Sequence, residues 1–317
     1  MGNIYHSQYK NKDSIALENE ELKVVFIPDP GGKMVSLISK RTGYEYLVQR
    51  EGSAYRNQPY GGIYVDGECS GFDDMFPTID ECKYDKEPWK DVVIPDHGEV
   101  WSLPWNFNIN KNSLFLSVDG IKFPYNLEKA VKFSGHNILR IDYTLTNKGP
   151  VDFDFLWAAH VMINIEEGTR IMVPDDCKQI YTILTYSKRL GEYGDINNWP
   201  VFEDSFKVSH RADISRTKNI KDCEKYYFTN KLDTGYSELK YPDNTKFRIG
   251  FSTDTVPYLG ILLNENGWDN RYNIFIEPCT VCYDRPDLAR LKGQISTVKT
   301  LSQYKWYVEM TIDQNNI

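Results

Sequence analysis

The feature that most constrains this chain is a period-two alternation of apolar and polar residues that recurs along almost its whole length. In NILRIDYTLTN the apolar set is Leu139, Ile141, Tyr143 and Leu145, while Arg140, Asp142, Thr144 and Thr146 take the other face. YKWYVEMTI sets Trp306, Val308, Met310 and Ile312 against Tyr307, Glu309 and Thr311, and KFRIGFS alternates around Phe247, Ile249 and Phe251. Successive side chains of a strand point to opposite faces, so this pattern predicts half-buried β-strands. Turn-forming pairs such as Asp119-Gly120 and Pro242-Asp243 punctuate the runs. No helical stripe is sustained, and strands do not alternate with long helices. A doubly wound α/β sheet and a TIM barrel are thereby excluded. The expected fold is all-β: a large antiparallel β-sandwich forming one domain over residues 1–317. The polar, Gly- and Asp-rich stretch from Tyr186 to Glu224 is poorly periodic and reads as an excursion over the surface, at the rim of a cleft or as its lid.

Composition narrows the function classes. The 317 residues carry 37 Lys and Arg against 45 Asp and Glu, a net charge of −8. Nucleic acid is not an expected partner, because phosphate backbones demand a cationic face. No stretch reaches the roughly 20 apolar residues that cross a bilayer, so no membrane span is expected. The N-terminus lacks the apolar core of a secretory signal, and the six cysteines form no spaced framework. Reduced thiols in a cytoplasmic protein are the simplest expectation. Aromatic residues make up 14%, including 22 tyrosines. They suit strands, and they also suit sugar sites, where a flat ring packs on the C–H face of a pyranose.

Three segments could carry chemistry. In VDFDFLWAAHVMINI, Val151, Phe153, Phe155, Trp157 and Ala159 take the core face, which turns His160 away from the core with Ala158, Met162 and Asn164. An imidazole titrates near neutral pH and is the natural general acid or base. In VVIPDHGEVWSLPW, Asp96-His97-Gly98 reads as a turn presenting His97, with Glu99 and Trp101 following. In YNIFIEPCT, Ile274 and Ile276 point inward, so Asn273, Phe275 and Glu277 share the opposite face, and Pro278 is expected to end the pairing just beyond Glu277. A carboxylate there is a candidate general base. His97, His160 and Glu277 also match a two-histidine, one-carboxylate metal set in number. Acid–base chemistry is the preferred reading, with no metal and no cofactor. Glu99 with Glu277 is a second candidate carboxylate pair, of the glycosidase type. Cys279-x-x-Cys282 lacks a second pair or nearby histidine and reads as two ordinary cysteines. No dinucleotide, P-loop, serine-hydrolase or zinc-protease motif is present.

With these segments in place, the chain resembles the aldose 1-epimerase (galactose mutarotase-like) family, in its less-characterised bacterial branches. Four motifs carry the resemblance in order: GFDDMFPTIDE, DHGEVWSLPW, the block NKGPVDFDFLWAAHVMINIEEGTRIMVP, and YNIFIEPCT with the downstream LARLKGQ. The resemblance implies a supersandwich with the site on a concave sheet face. It implies Glu277 as the base that takes the anomeric hydroxyl proton, His160 as the acid that protonates the ring oxygen, and His97 as a hydrogen-bonding partner near that oxygen. The partner implied is a small-molecule sugar, bound by a monomer or homodimer. The family's Asn-Arg pair ahead of the first histidine is absent, since FDDMFPTID stands there. That missing sugar-binding arginine points away from plain galactose. Asp74 and Trp101, beside the motifs, are the expected sugar contacts. A sugar-binding protein without catalysis, and a glycan lyase or hydrolase, are the alternatives on such a scaffold.

Overall fold

The computed structural model describes residues 2–314. Two antiparallel sheets dominate it. The larger has eleven strands in the spatial order Asn3–Tyr9, Lys12–Glu18, Leu22–Ile27, Lys33–Ser39, Phe72–Met75, Ala158–Asn164, Tyr272–Cys279, Tyr258–Glu265, Asp222–Phe228, Gln179–Thr185 and Ile196–Asn198. The smaller has eight, from Arg170–Met172 through Tyr236–Lys240, Lys246–Phe251, Gln303–Asp313, Ile138–Asn147, Tyr125–Phe133 and Ser113–Asp119 to Asn106–Asn110. The helix Pro286–Leu291 follows the last central strand of the larger sheet. Among the described residues no helix is long and apolar enough to cross a membrane.

The alternation read from the sequence sets which face each strand buries. Leu139, Ile141, Tyr143 and Leu145 of the smaller sheet meet Ala159, Val161, Ile163, Ile274 and Ile276 of the larger one in a single apolar core. The Trp157 ring lies 5.0 Å from Tyr143 and 5.1 Å from Trp306, so three large aromatics fill the space between the sheets. Ala158, Met162 and Phe275 take the opposite face of the larger sheet and belong to a second apolar cluster. The central strands are therefore buried on both sides, unlike a simple sandwich whose outer faces are wet.

Two expectations are corrected. Pro278 does not end the pairing: its strand continues to Cys279, with Pro278 opposite Leu259 and Cys279 opposite Tyr258. Its missing N–H breaks no registered pair. The stretch 186–224 is also less irregular than its composition suggests. It contains the strands Ile196–Asn198, Val201–Glu203 and Ser209–Arg211, and its last residues open the central strand Asp222–Phe228. Arg189 pins it with paired hydrogen bonds to Glu224, both side chains being buried.

Asp74 lies within the core rather than at a sugar site. It sits opposite Ala159 and so faces the smaller sheet. There it accepts hydrogen bonds from Lys129 Nζ at 2.7 Å and Trp157 Nε1 at 3.0 Å. The Lys129 ammonium also lies 4.7 Å over the Trp105 ring. An ion pair with both side chains at most 2% exposed ties the two sheets together. Removing one partner of such a pair strands the other charge. Lys129→Met is expected to lower stability by about 3–5 kcal/mol in urea unfolding. Adding Asp74→Asn, which removes the orphan charge but keeps an acceptor for Trp157, is expected to restore most of that loss. An equal or larger loss in the double variant would contradict this role.

Candidate active site

The second apolar cluster surrounds a cavity of about 420 Å³ on the face of the larger sheet turned away from the smaller one. Its floor is built from neighbouring strands in register. Glu277 lies opposite Gly260, which lies opposite Tyr227; one step along, Phe275 lies opposite Leu262 and Leu262 opposite Lys225. His160 projects from the adjacent strand, and His97 from the turn above. The two imidazole rings stand 5.2 Å apart, nearly perpendicular. His160 Nε2 is 3.5 Å from Glu277 Oε1. The three residues singled out in the sequence thus line one cavity.

Local backbone constraints place each group. Gly98 has φ of +77°, and a Cβ there would fall 2.1 Å from the Phe76 carbonyl oxygen, so only glycine fits. The close approach lets Glu99 N–H donate to that carbonyl and His97 N–H donate to the Ile79 carbonyl, which seats the turn beside the sheet. Asp96 Oδ1 then holds His97 Nδ1 at 2.8 Å, and its second oxygen accepts the Tyr64 N–H. Tyr64 stacks on the His97 ring at 4.3 Å and anchors its own hydroxyl on Asp73. At Gly260 a Cβ would come 2.8 Å from the Tyr227 ring and 3.3 Å from Glu277 Oε2. Its absence leaves room for the carboxylate to lean toward Lys225.

The electrostatics follow from burial. Neither nitrogen of His160 has a hydrogen-bond partner among the described residues. Desolvation, reinforced by the charges of His97 and Lys225, drives its pKa well below the ordinary 6.5. Glu277 is fully buried, and desolvation raises it above 4.5, with Asp284 adding to the rise and Lys225 opposing it. Lys225 Nζ lies 3.2 Å from Glu277 Oε2 and donates to Asp284 Oδ1 at 2.9 Å. Burial pulls the ammonium down, yet the two carboxylates outweigh it and hold Lys225 charged. Tyr227 donates to the same Asp284 oxygen at 2.6 Å. Asp96 is kept below the usual carboxylate range despite burial, because His97 and the Tyr64 N–H bond to it.

Not every expected contact is here. Asp74 faces the core, as described. Trp101 is buried behind Tyr64, edge-on at 5.1 Å, and donates its indole N–H to the Asp96 carbonyl. It supports the His97 turn and does not line the cavity. Glu99 is buried under the hydroxyls of Tyr60 and Tyr125 and the N–H of Lys122, so it forms no carboxylate pair with Glu277. Cys279 and Cys282 are buried free thiols. Sequence reasoning missed Lys225, Asp284 and Tyr64. Lys225 lies in DCEKYYF, where both faces mix polar and apolar residues and the alternation is masked. Asp284 comes from the loop after the Glu277 strand, where no periodicity guides a reading.

Comparison with known proteins defines the fold. The family model of a domain of unknown function (DUF5107) matches residues 2–101. No curated protein sequence matches the chain. Solved structures match over nearly its whole length. The Slr1438 protein from Synechocystis sp. PCC 6803 aligns at 15% identity, with a TM-score of 0.68 and 98% and 99% of the two chains covered. A galactose mutarotase-like protein from Lactobacillus casei gives 15% identity and a TM-score of 0.68, with 95% of this chain and 100% of that one. A galactose mutarotase related enzyme from Lactobacillus acidophilus gives 16% and 0.66, with 96% and 98% covered. The chain has the galactose mutarotase-like β-sandwich fold.

The neutral His160 has a thermodynamic signature. Its folded pKa lies below the unfolded value, so below about pH 6.5 the unfolded chain binds a proton that the native state resists. Stability carried by the neutral imidazole is present above pH 6.5 and is lost as pH falls. Relative to the wild type, His160→Asn is expected to gain up to about 1.4 kcal/mol for each unit below pH 6.5, down to the folded pKa. Urea unfolding from pH 8 to 5.5 tests this, and a pH-independent difference between the two proteins would refute it.

Proposed function

We propose that the protein is an isomerase of the aldose 1-epimerase type, which interconverts the anomers of a reducing sugar by acid–base ring opening. One observation carries the reading: a buried imidazole and a buried carboxylate meet at 3.5 Å on the floor of a sugar-sized cavity. The anomeric hydroxyl and the ring oxygen are bonded to the same carbon. A base for one and an acid for the other must therefore be near neighbours. Glu277 takes the hydroxyl proton, the C1–O1 bond becomes a carbonyl, the C1–ring-oxygen bond breaks, and the ring oxygen takes a proton from His160. Rotation about C1–C2 and reclosure on the other carbonyl face give the second anomer. No electrons are gained or lost.

The shifts in acidity suit this exchange. An ordinary carboxyl and imidazole differ by about two units. Burial moves Glu277 up and His160 down, toward each other. Acidities moved toward each other favour proton transfer in both directions. His97, fixed by Asp96, points a ring into the same space and is assigned to the ring oxygen. The descriptions of two structural relatives as galactose mutarotase-like or related support the same chemistry.

Polarimetry or NMR exchange on freshly dissolved α-aldoses is expected to show mutarotation faster than the spontaneous rate. Glu277→Gln should cut that acceleration by roughly 10²–10⁴-fold, the range of general-base catalysis, while sugar affinity stays within a few-fold. Equal loss of rate and affinity would mark Glu277 as a binding group and refute the mechanism. The pH profile of kcat/KM should be bell-shaped, because only the singly protonated pair is active.

A further inference from the structure

The cavity is divided by polarity along the strands that floor it. At the reacting end lie Glu277, His160, His97, Asp80, Asp284 and Lys225. Two residues further along the same strands the floor is Phe275 and Leu262, with Lys225 in the same row reaching back to Glu277 and Asp284, and another two residues along lies Cys223. Ile183 extends this apolar floor, and Trp268 and Tyr186 also line the cavity. Trp268 is held there by reciprocal hydrogen bonds with Asn264, its N–H donating to Oδ1 and its carbonyl accepting from Nδ2. Tyr186 is fixed through its N–H to the Cys223 carbonyl.

The charges decide what this cavity can accept. Lys225 is the one Lys or Arg among the residues that line it, and its ammonium is shared between Glu277 and Asp284. The cations just outside are also matched. Arg271 bonds to the Cys69 carbonyl and pairs with Asp269; Lys33 pairs with Asp73. Asp80, Glu277 and Asp284 against Lys225 leave the lining with more acid than base. A phosphate or carboxylate on the sugar would lose its hydration and meet no free donor fork. A hydroxyl placed directly over Phe275 and Leu262 would likewise lose water to side chains that offer it no hydrogen bond.

We propose that the substrate is an uncharged aldose bearing an apolar group, such as a deoxy or O-methyl position, which lies over Phe275, Leu262 and Trp268 while C1 faces Glu277. This inference rests on the epimerase reading for the placement of C1. In a hydrophobic pocket one methylene is worth roughly 10–200-fold in discrimination. The test titrates 6-deoxygalactose, 6-deoxyglucose and 3-O-methylglucose into the Glu277→Gln protein, beside galactose, glucose, glucose 6-phosphate and glucuronate, by calorimetry. At least one apolar-substituted sugar should bind about tenfold or more tighter than its parent, and the two charged sugars should not bind. Trp268→Ala in the same background should narrow that preference. Equal affinity for parent and substituted sugars, tighter binding of a charged sugar, or no binding by any of them would overturn the proposal. The wild-type protein is then assayed for mutarotation of the same panel. Selective binding without acceleration would leave this substrate class standing and remove the epimerase reading. Acceleration with no preference for the apolar sugars would do the reverse.

Discussion

A strand has two faces, and in the centre of the larger sheet both are buried. That constraint organises everything else in the molecule. Ala159, Val161 and Ile163 must meet the smaller sheet, so Ala158, His160 and Met162 must meet the cavity. The same parity sends Ile274 and Ile276 one way and Phe275 and Glu277 the other. A one-residue slip would exchange the two sets, placing an imidazole and a carboxylate in the intersheet core without partners. The cost of burying them there locks the register, and the register in turn fixes the distance between His160 and Glu277.

This parity was legible in the sequence where alternation is strict and was lost where it is not. His160 and Glu277 could be assigned to a face because their neighbours are unambiguous: Trp157 and Ala159 on one side, Ile274 and Ile276 on the other. Asp73-Asp74 offers two adjacent carboxylates and no such guide. Asp73 lies opposite His160 and bonds to Lys33 and Tyr64, whereas Asp74 lies opposite Ala159 and bonds to Lys129. Asp74 thus faces the intersheet core rather than the cavity, a difference of one position that the pair of carboxylates does not reveal. Lys225 was hidden for a different reason. In its strand every residue is buried, and buried charges on both faces erase the polar–apolar signal. Trp101 stands close to the site in sequence, but its indole is spent on holding the turn that carries His97.

The buried charges at the site differ in kind from those between the sheets. Lys129 and Asp74 neutralise one another, with the Trp157 N–H completing the carboxylate's coordination. Such a pair is closed. Around Lys225 one ammonium faces two carboxylates, and His160, 3.5 Å from Glu277, makes no hydrogen bond among the described residues. An unsatisfied polar group of this sort is costly to keep, so structural requirements alone give no account of it. Sites that move protons need groups whose charged and neutral forms are close in energy, and incomplete pairing in a dry environment produces that condition.

Shared architecture at 15–16% identity means that these proteins agree on the fold while few side chains coincide. The fold therefore says where a site belongs without saying what it does. The chemistry has to be argued from the cavity's own residues, and here they divide the labour. The proposed reaction needs its acid and base to leave the core on the same face, and strand parity does this for His160 and Glu277. The proposed reaction places no such requirement on Phe275, Leu262 and Trp268. An ammonium committed to Glu277 cannot also grip an anion, since each added contact would draw charge from the carboxylate that it holds. In the proposed reaction, tuning the base and binding a charged sugar would compete for the same lysine. The geometry of Lys225, with carboxylates at 2.9 and 3.2 Å, commits its charge to Glu277 and Asp284.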